Sequence, residues 1–276
     1  MDTKVILLTG ASSGIGYSAA QMLARQGHKV YGAARRVERM EPLRAEGVVP
    51  VKIDLTDEKS IDEAVKTVIA AEGRIDILVN NAGFGFFGAI ENVSMEEARS
   101  QLEVNVFGLA SLIQKVLPYM RERSGGRIIN VSSIAGKLVM PYGGWYHASK
   151  YAVEALSDAL RTEVRQFGIK VSIIEPGGIK TPWGDIAAQH LEDCCKGTVY
   201  EADGGSVAAF LRKGYASNFL SSPDVIGRAI SRAVNSRCPK IRYRTGRGAG
   251  TAVFFHSILP ARWWDAIVRF LIKVLL

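Results

Sequence analysis

The feature that most constrains the fold of this chain is the alternation of short apolar runs with longer segments of helical spacing. Seven runs have the length and composition of buried strands, and they lie at residues 4–10, 29–35, 48–55, 75–83, 126–133, 170–178 and 240–246. Such strands, separated by amphipathic helices, form a parallel sheet that is covered on both faces. Right-handed crossovers then predict an α/β, doubly wound sheet of the Rossmann type, with its ligand crevice at the carboxyl ends of the strands.

The spacing of the apolar residues between these runs predicts the helices. They are expected before Gly27 and near Tyr146, and over 38–46, 57–73, about 94–123 and 222–234. Residues 183–221 show a less regular pattern. We therefore expect a single dinucleotide-binding and catalytic domain over 1–246, with a substrate loop at about 183–221, and a helical extension over 247–276.

Composition and charge indicate a large folded domain and narrow the range of partners. The chain has 276 residues, of which 47% are hydrophobic, which is enough for a substantial core. Its formal charge of +8 is spread along the sequence without interleaved aromatic residues, so a nucleic-acid partner is not expected. Three cysteines fit neither a disulfide framework nor a metal site, which indicates free thiols in a reducing, cytoplasmic compartment. We expect neither a secretory signal nor a spanning helix, because the apolar runs are too short.

Four polar or glycine-rich clusters directly follow predicted strands. They are "TGASSGIG" (9–16), "NNAG" (80–83), "SS" (132–133) and "PGG" (176–178). Because the carboxyl ends of parallel strands meet at one edge of the sheet, these clusters are expected to form a single site.

The turn after the first strand contains Gly10, Gly14 and Gly16, and it is suited to the pyrophosphate of a dinucleotide. Small residues let a phosphate approach the backbone amides at a helix N-terminus. The residues between these glycines that we expect to contribute are Ser12, Ser13 and Ile15. The spacing differs from the G-x-G-x-x-G fingerprint, so this motif alone leaves a purely structural turn open.

The second strand ends in "AARR", which bears on the choice of nucleotide. Sites specific for NAD usually carry a carboxylate here to hold the ribose hydroxyls. This chain has Ala34 at that position, followed by Arg35 and Arg36. Two guanidinium groups favour the 2′-phosphate of NADP(H), and two solvated arginines are the simpler alternative. Asp54 and Leu55, after the third strand, are predicted to meet the adenine, although Asp54 could equally be a turn residue.

The segment "WYHASK" (145–150) places Tyr146 and Lys150 four residues apart, on one face of a predicted helix. In most proteins such a pair is an ordinary surface contact. An ammonium beside a phenol in a partly dry cleft can also lower the pKa of the phenol from about 10 toward neutral, a shift of roughly 3 units. A tyrosine tuned in this way would be a general acid or base.

Taken together, these motifs resemble the short-chain dehydrogenase/reductase family. The resemblance rests on "TGASSGIG", "NNAG", "EVNVFG" (103–108), "NVSS" (130–133), "YHASK" and "PGGIKT" (176–181), which occur in the family's order. It covers residues 4 to about 182, weakens over 183–221 and is lacking at the C-terminus. The resemblance implies an oxidoreductase that acts on CH–OH or C=O groups, and the "AARR" strand end makes NADP(H) its expected cofactor.

The resemblance also implies a role for each member of a catalytic set. Tyr146 is the proton donor to the carbonyl oxygen, Ser133 hydrogen-bonds that oxygen, and Lys150 tunes Tyr146 and reaches the nicotinamide ribose. Asn105 resembles the asparagine that holds a water in a proton relay to Lys150, and a plain polar residue on a helix is the alternative. Further cofactor contacts are implied for Asn81, Ala82, Gly83, Pro176, Gly177, Ile179 and Thr181.

Residues 183–221 lie where the family places its substrate loop, and they supply aromatic and apolar side chains without an arginine cluster. A hydrophobic alcohol or ketone, such as a steroid, retinoid or lipid-like carbonyl, is therefore the expected substrate. Trp183, Ser133 and Tyr146 form the predicted substrate-binding set, whereas His190 is expected to be a loop residue. The "AARR" strand end and the C-terminal extension are most similar to the hydroxysteroid and retinol dehydrogenase branch.

The C-terminal segment "PARWWDAIVRFLIKVLL" (260–276) predicts an amphipathic helix. Arg262, Asp265, Arg269 and Lys273 fall on one face, with tryptophan and aliphatic residues around the rest. Packing on the protein itself, where the helix could close over the substrate site, or on a sister subunit of a dimer or tetramer is one interpretation. Peripheral contact with a membrane is the other.

Two rival functions stay open at the level of the sequence. One is a catalytically silent NADP-binding regulator or scaffold of the same fold, and the other is isomerisation or dehydration. The presence of both Tyr146 and Lys150 argues against the first, and the complete serine–tyrosine–lysine set favours redox chemistry over the second.

Overall fold

The computed structural model, which describes residues 2–217 and 220–274, has a parallel β-sheet at its centre. The strands among these residues are β1 (Val5–Thr9), β2 (Lys29–Ala34), β3 (Val48–Lys52), β4 (Ile77–Asn80), β5 (Gly126–Val131), β6 (Ile169–Pro176) and β7 (Arg242–Thr245). They are hydrogen-bonded in the order β3-β2-β1-β4-β5-β6-β7, and every neighbouring pair is parallel. The predicted doubly wound sheet is therefore confirmed, and its order reverses between β1 and β4, where the ligand crevice of such folds lies.

Helices flank the sheet on both faces. In chain order they are α1 (Gly14–Arg25), α2 (Glu41–Arg44), α3 (Glu58–Glu72), α4 (Met95–Leu102), α5 (Gly108–Glu122), α6 (Gly144–Glu163), α7 (Trp183–Cys195), α8 (Glu201–Ala216), α9 (Pro223–Asn235), α10 (Ala249–Ile258) and α11 (Ala261–Val274). Short 3₁₀ turns lie at Val37–Met40, Ile134–Gly136 and Arg165–Phe167.

The strand side chains divide between two apolar layers because successive residues of a strand point to opposite faces. In β1, Val5 and Leu7 enter one layer, whereas Ile6 and Leu8 enter the other. The first layer packs under α3, α5 and α6, and the second packs under α1 and α9. Both faces of the sheet are thus covered, so a small ligand is expected at the edge formed by the strand ends.

The helix expected over 94–123 is interrupted in the middle. α4 begins with a capping box, in which the Ser94 hydroxyl accepts from the Glu97 N–H and the Glu97 carboxylate accepts from the Ser94 N–H. A π-helical turn, Glu103–Phe107, then joins α4 to α5. Such turns often occur at functional sites, and this one contains Asn105, which is only 1% exposed.

The less regular stretch expected over 183–221 is instead mostly helical, because α7 and α8 lie within it. The two helices pack on each other through small and aliphatic side chains, including Ala188, Leu191 and Val207. A Cβ on Gly204 would lie 2.8 Å from the Cys195 sulfur, so glycine allows the close approach. Glycines of this kind weaken a helical sequence pattern although tertiary packing keeps the helix. Residues 218–219 of the predicted loop lie outside the described residues.

The C-terminal extension forms two helices, α10 and α11, where one amphipathic helix was expected over 260–276. Leu259 and Pro260 separate them, as expected because a residue before proline avoids the helical conformation. Val268 and Ile272 of α11 are buried in a third apolar cluster together with residues of α7 and α8. The last two residues of the predicted helix lie outside the described part of the chain. No helix in the described part is long and apolar enough to cross a bilayer.

Candidate active site

The turn between β1 and α1 requires glycine at several points. Gly10 and Gly14 have positive φ values of 73° and 55°. A Cβ on Gly16 would lie 2.2 Å from the Gly10 carbonyl oxygen, which leaves no space for a side chain. Ser13 is the exposed N-cap of α1 and makes no side-chain capping hydrogen bond. The first amides of α1 are therefore framed by small residues, a cradle that fits the phosphates of a dinucleotide.

Asn81 and Ala82, which were predicted to contact the cofactor, also hold this turn in place. The Thr9 hydroxyl accepts hydrogen bonds from both of their backbone amides, each at 3.1 Å. The Asn81 side-chain amide donates to the Thr9 carbonyl at 3.0 Å. The end of β1 and the end of β4 are thereby locked together at the switch point of the sheet.

Arg35 and Arg36 are exposed at the end of β2, so both guanidinium groups are accessible to a ligand. Asp54 accepts hydrogen bonds from the Thr56 N–H at 3.0 Å and from the Thr56 hydroxyl at 2.8 Å. Burial acts to raise the pKa of Asp54, but these hydrogen bonds and the charge of Arg35 lower it overall. The carboxylate therefore has the turn role that the sequence left open, and contact of Asp54 or Leu55 with adenine stays a prediction.

Tyr146 and Lys150 lie one turn apart on α6, as the spacing predicted. The Lys150 Nζ donates to the Val131 carbonyl oxygen at 3.1 Å and lies 6.0 Å from the centre of the Tyr146 ring. Lys150 is only 6% exposed, and burial lowers its pKa to about 8. The charge of Glu154, one turn further along α6, acts in the opposite direction.

The expected lowering of the Tyr146 pKa is not found. Burial raises the pKa of Tyr146 to about 12, and the nearby Ser133 hydroxyl acts in the opposite direction. The physical reason is that the crevice disfavours the phenolate more strongly than its neighbours stabilise it. A phenol with this pKa keeps its proton at neutral pH, which is the state that a proton donor needs.

Ser133 follows β5, and its hydroxyl lies between two strand ends. It accepts from the Ala135 N–H at 3.1 Å, and it lies 3.4 Å from the Pro176 carbonyl oxygen at the end of β6. The Ser133 hydroxyl acts on the pKa of Tyr146 as well, so the structure brings the predicted serine and tyrosine together.

Asn105 is tied to the segment that follows β4. Its amide oxygen accepts from the Phe84 N–H at 3.0 Å, and its amide nitrogen donates to the Phe84 carbonyl at 2.8 Å. A Cβ on Gly83 would lie 3.0 Å from the Asn105 oxygen and 3.5 Å from the Lys150 Nζ. Asn105 therefore lies beside Gly83 and Lys150 and fixes the loop, while its role in a water relay stays a prediction.

The segment after β6 lies against the glycine turn. The Gly177 N–H donates to the Thr245 carbonyl at 2.9 Å, and Ile179 is 5% exposed. A Cβ on Gly14 would lie 3.4 Å from the Thr181 methyl carbon. The segment from Pro176 to Thr181 thus runs from the Ser133 hydroxyl to the start of α1. The predicted contact of Ile179 and Thr181 with the nicotinamide is compatible with this position and stays a prediction.

An aromatic wall, composed of Phe87, Trp183 and Tyr215, encloses Tyr146. Ring centres are 5.0 Å apart for Trp183 and Tyr146, 5.6 Å for Phe87 and Trp183, and 5.8 Å for Trp183 and Tyr215. Trp183 was predicted, but the phenylalanines of "GFGFF" (83–87) were missed. Their position directly after the "NNAG" cluster is the signal that could have found them.

His190 joins the substrate segment to the rest of the site. It lies 2.8 Å from the Phe87 carbonyl oxygen and 3.0 Å from the Glu97 carboxylate of α4, and its ring stacks on Phe86. These contacts agree with the expected non-catalytic role, although His190 is on helix α7 and not in a loop.

Comparison with known proteins shows the family of this chain and agrees with the arrangement of Ser133, Tyr146 and Lys150. The family model for the short chain dehydrogenase matches residues 4–191, and the chain belongs to the short-chain dehydrogenase/reductase family of oxidoreductases. It is 38% identical over 260 residues to the 3-ketodihydrosphingosine reductase of Bacteroides thetaiotaomicron, covering 89% of each chain. It is 34% identical over 259 residues to the estradiol 17-beta-dehydrogenase 1 of Rattus norvegicus, covering 88% of this chain and 74% of the relative. The predicted family is thus confirmed, and the placement in its hydroxysteroid dehydrogenase-like branch stays a prediction.

Similar solved structures agree with the fold and with a nicotinamide cofactor. A short-chain dehydrogenase from Streptomyces avermitilis superposes with a TM-score of 0.80 and 33% identity, covering 99% of this chain and 97% of that one. A Burkholderia phymatum member (TM-score 0.76, 25% identity, 87% and 89% covered) is in complex with NAD. A serine dehydrogenase (TM-score 0.74, 28% identity, 86% and 92% covered) is complexed with NADP+. The choice of nucleotide therefore depends on the residues of this chain.

Proposed function

We propose that this chain is an NADP(H)-dependent oxidoreductase that interconverts a lipophilic ketone or aldehyde and the corresponding alcohol. The observation that carries the proposal is the half-buried Tyr146, which has Ser133 and Lys150 beside it and the aromatic wall around it. The names of the two relatives refer to 3-ketodihydrosphingosine and to estradiol, which supports a lipophilic substrate.

The roles of the side chains in reduction follow from their positions. When bound, the nucleotide supplies the hydride that reaches the carbonyl carbon. The Ser133 hydroxyl donates a hydrogen bond to the carbonyl oxygen, and the neutral phenol of Tyr146 transfers its proton to that oxygen as negative charge develops on it. The carbonyl gains one hydride and one proton, so the product is the alcohol. In this proposal Lys150 supplies a positive charge near Tyr146 and would bind the ribose hydroxyls of the nucleotide.

The preference for NADP(H) over NAD(H) rests on the end of β2. Two exposed guanidinium groups stand where a carboxylate would hold an unphosphorylated ribose. Arginine matches a phosphate with paired charged donors, so the 2′-phosphate is the ligand that these groups fit best. Replacing Arg35 by alanine is expected to weaken NADPH binding about tenfold or more and NADH binding far less.

The substrate class rests on the aromatic wall and on the third apolar cluster behind it. Phe87, Ala187 and Leu191 are almost completely buried in this cluster, which includes Tyr146 and Trp183 at its border. Aromatic walls bind an apolar ligand because contact removes apolar surface from water, which contributes roughly 25 cal/mol of favourable free energy for each Å² buried. A hydrophobic body with one carbonyl group is the ligand that these surroundings fit.

The test is a turnover assay with the full chain, NADPH or NADH, and a panel of ketones and aldehydes of increasing apolar area. We expect oxidation of NADPH, and kcat/KM values that rise with the apolar area of the substrate. Tight NADPH binding without turnover on any member of the panel would overturn the proposal and favour the catalytically silent regulator. Equal kcat/KM values with both nucleotides in the wild type would refute the NADP preference.

We also propose, as the sequence predicted, that the chain is a cytoplasmic homo-oligomer. Its support is the exposed apolar surface on α6 and just before α5, where Phe107 is 58%, Tyr151 41% and Leu156 42% exposed. Light scattering on the purified chain measures the mass directly, and a monomer at micromolar concentration would contradict this part of the proposal.

A further inference from the structure

The two C-terminal helices present an apolar face that the described residues leave open to solvent. Its large side chains are between 38% and 67% exposed, and they are Phe254, Phe255, Ile258, Trp263, Ile267, Phe270 and Leu271. We call these seven residues the tail face. Trp263, Ile267 and Phe270 line one open cleft on α11. Exposed aromatic and aliphatic residues that are grouped in this way on a folded chain mark a contact surface.

The opposite side of α11 is attached to the protein, so the tail face has a fixed direction. Val268 and Ile272 are 8% and 7% exposed in the third apolar cluster. The Trp264 ring lies against His256 of α10, with ring centres 5.0 Å apart, and its indole N–H lies 3.4 Å from the Val139 carbonyl oxygen. Since α11 already buries one stripe of apolar residues, the tail face is additional surface that needs its own partner.

The charges on α11 indicate the chemistry of that partner. Arg262, Arg269 and Lys273 are exposed at helical spacing on one flank, and Asp265 is the single acidic residue of the helix. The whole chain carries a formal charge of +8. An apolar sector with exposed tryptophan and phenylalanine, flanked by basic residues, is the arrangement of helices that lie in the plane of an anionic lipid surface.

We propose that the tail face docks this protein on a lipid surface that carries anionic headgroups. Its aromatic residues enter the boundary between headgroups and acyl chains, while the three basic residues meet the lipid phosphates. A second copy of the chain fits less well, because pairing this helix with itself would bring together two sets of like charges. The described residues provide no acidic stripe on α11 to neutralise them.

The docking is argued from the tail face alone, but its link to a lipophilic substrate rests on the proposed function. The apolar cluster that holds α11 also contains Trp183 and Tyr146, so the lipid-facing helix and the substrate wall belong to one packed unit. Docking would therefore keep the crevice close to the phase in which a lipophilic carbonyl compound dissolves.

The experiment is co-sedimentation of the full-length protein with phosphatidylcholine vesicles, with and without phosphatidylglycerol. We expect binding to the vesicles that contain phosphatidylglycerol, and weaker binding as salt is added, because the screening length shortens. The triple variant Arg262→Gln, Arg269→Gln and Lys273→Gln should lower the partition coefficient at least about tenfold, at roughly one kcal/mol for each basic residue. Its matched control replaces Arg123, Arg237 and Lys240, which are exposed near the opposite end of the sheet, and should bind like the wild type.

A second pair of variants tests the apolar part of the contact. Phe270→Ser should weaken vesicle binding, whereas Ile241→Ser, at an exposed position directly before β7 and at the end of the sheet opposite the crevice, should leave it unchanged (46% exposed compared with 63% for Phe270). Failure of the wild type to bind anionic vesicles, or equal losses in both members of a pair, would overturn the proposal. The proposal would also be wrong if the wild type did not bind vesicles and the Phe270→Ser variant formed a smaller oligomer than the wild type. The tail face would then be a contact between subunits.

The assay also separates this proposal from the proposed function. Turnover of a water-soluble ketone with NADPH should stay within about twofold of the wild type in all of these variants, because none of the positions lies at the crevice. Turnover without vesicle binding refutes the docking alone. Vesicle binding without turnover refutes the oxidoreductase function, and with it the link to a membrane-dissolved substrate.

Discussion

Tyr146 and Lys150 share a crevice in which burial favours the neutral form of each side chain. The pKa of Tyr146 is raised to about 12, and the pKa of Lys150 is lowered to about 8. At neutral pH the phenol therefore keeps its proton, whereas Lys150 is close to the pH range in which it loses its charge. The protonated phenol is the state that the proposed reduction requires of its proton donor.

Replacing Tyr146 by phenylalanine removes the proton donor and keeps the ring that packs against Trp183. We expect kcat to fall by about 10² to 10⁴, the usual contribution of general acid catalysis, with less than about twofold change in NADPH affinity. Steady-state kinetics and a fluorescence titration of NADPH check the two expectations separately. A variant with more than a tenth of the wild-type kcat would show that the phenol is not the donor.

The charge of Lys150 predicts how nucleotide capture depends on pH. Because its pKa is lowered from 10.5 to about 8, the ammonium is present below pH 8 and is lost as the pH rises through that value. The kcat/KM for NADPH should therefore be constant at lower pH and fall above about pH 8. The Lys150→Arg variant keeps its charge, so its profile should lack this decline even if its overall rate is lower. A wild-type profile that stays flat to pH 9.5 would refute the assignment.

For single residues, the sequence predicted which side chains lie together at the site, but it did not predict how burial in the crevice shifts their pKa values. Helical spacing paired Tyr146 with Lys150, strand-end position together with the family spacing indicated Ser133, and the family resemblance alone indicated Asn105. The direction of the Tyr146 pKa shift was wrong because it depends on desolvation by Phe87, Trp183 and other neighbours. The packing of residues far apart in the chain is not visible in a local motif.

The element that depends most on single residues is the first strand–turn–helix unit. Gly16→Ala would place a methyl group 2.2 Å from the Gly10 carbonyl oxygen, so the turn must shift. We expect a loss of about 1–3 kcal/mol in the free energy of unfolding, measured by urea denaturation. Gly205→Ala is the matched control, because its methyl group meets nothing within 4 Å and replaces glycine in helix α8. It should gain about 0.5–1 kcal/mol, and a loss equal to that of Gly16→Ala would contradict the steric explanation.

Strong periodicity decided which elements could be predicted. Six of the seven strands lie within their predicted ranges and β6 begins one residue before its range, at Ile169, since buried parallel strands are nearly continuous apolar runs. The helix pair α7 and α8 was missed because glycine and alanine provide its contact, which weakens the amphipathic signal. The π-helical turn at Glu103–Phe107 was also missed, because one added residue barely changes the spacing of a helix.

Across the whole molecule, a network of charges around the buried carboxylates of Glu154 and Glu175 ties β7 to β6 and to α6, the helix that carries Tyr146 and Lys150. Glu175 of β6 has no exposed surface and lies 3.1 Å from the Arg242 Nε and 2.8 Å from the Arg244 Nε of β7. Arg242 also pairs with Glu154 and Asp158 of α6. Ion pairs therefore hold β7, the outermost strand, to both β6 and α6.

Replacing Glu175 by glutamine keeps the shape and removes the negative charge from two arginines. We expect a loss of about 1–3 kcal/mol in the free energy of unfolding, because Arg244 loses its charged partner while Arg242 keeps Glu154 and Asp158. Glu41→Gln breaks the exposed pair with Arg44 and should change the free energy by less than about 0.5 kcal/mol. Urea unfolding of both variants measures the difference, and similar losses would mean that the network adds little.

The segment from Ile179 to Trp183 connects the two places where the nucleotide and the substrate are proposed to bind. Thr181 lies over Gly14, at the place where the nucleotide phosphates fit, and two residues later Trp183 lies against the ring of Tyr146. A stretch this short cannot adjust at one end without moving the other, so the two affinities are thermodynamically linked. We therefore expect bound NADPH to raise the affinity for a carbonyl compound, and a bound ketone to raise the affinity for NADPH by the same factor.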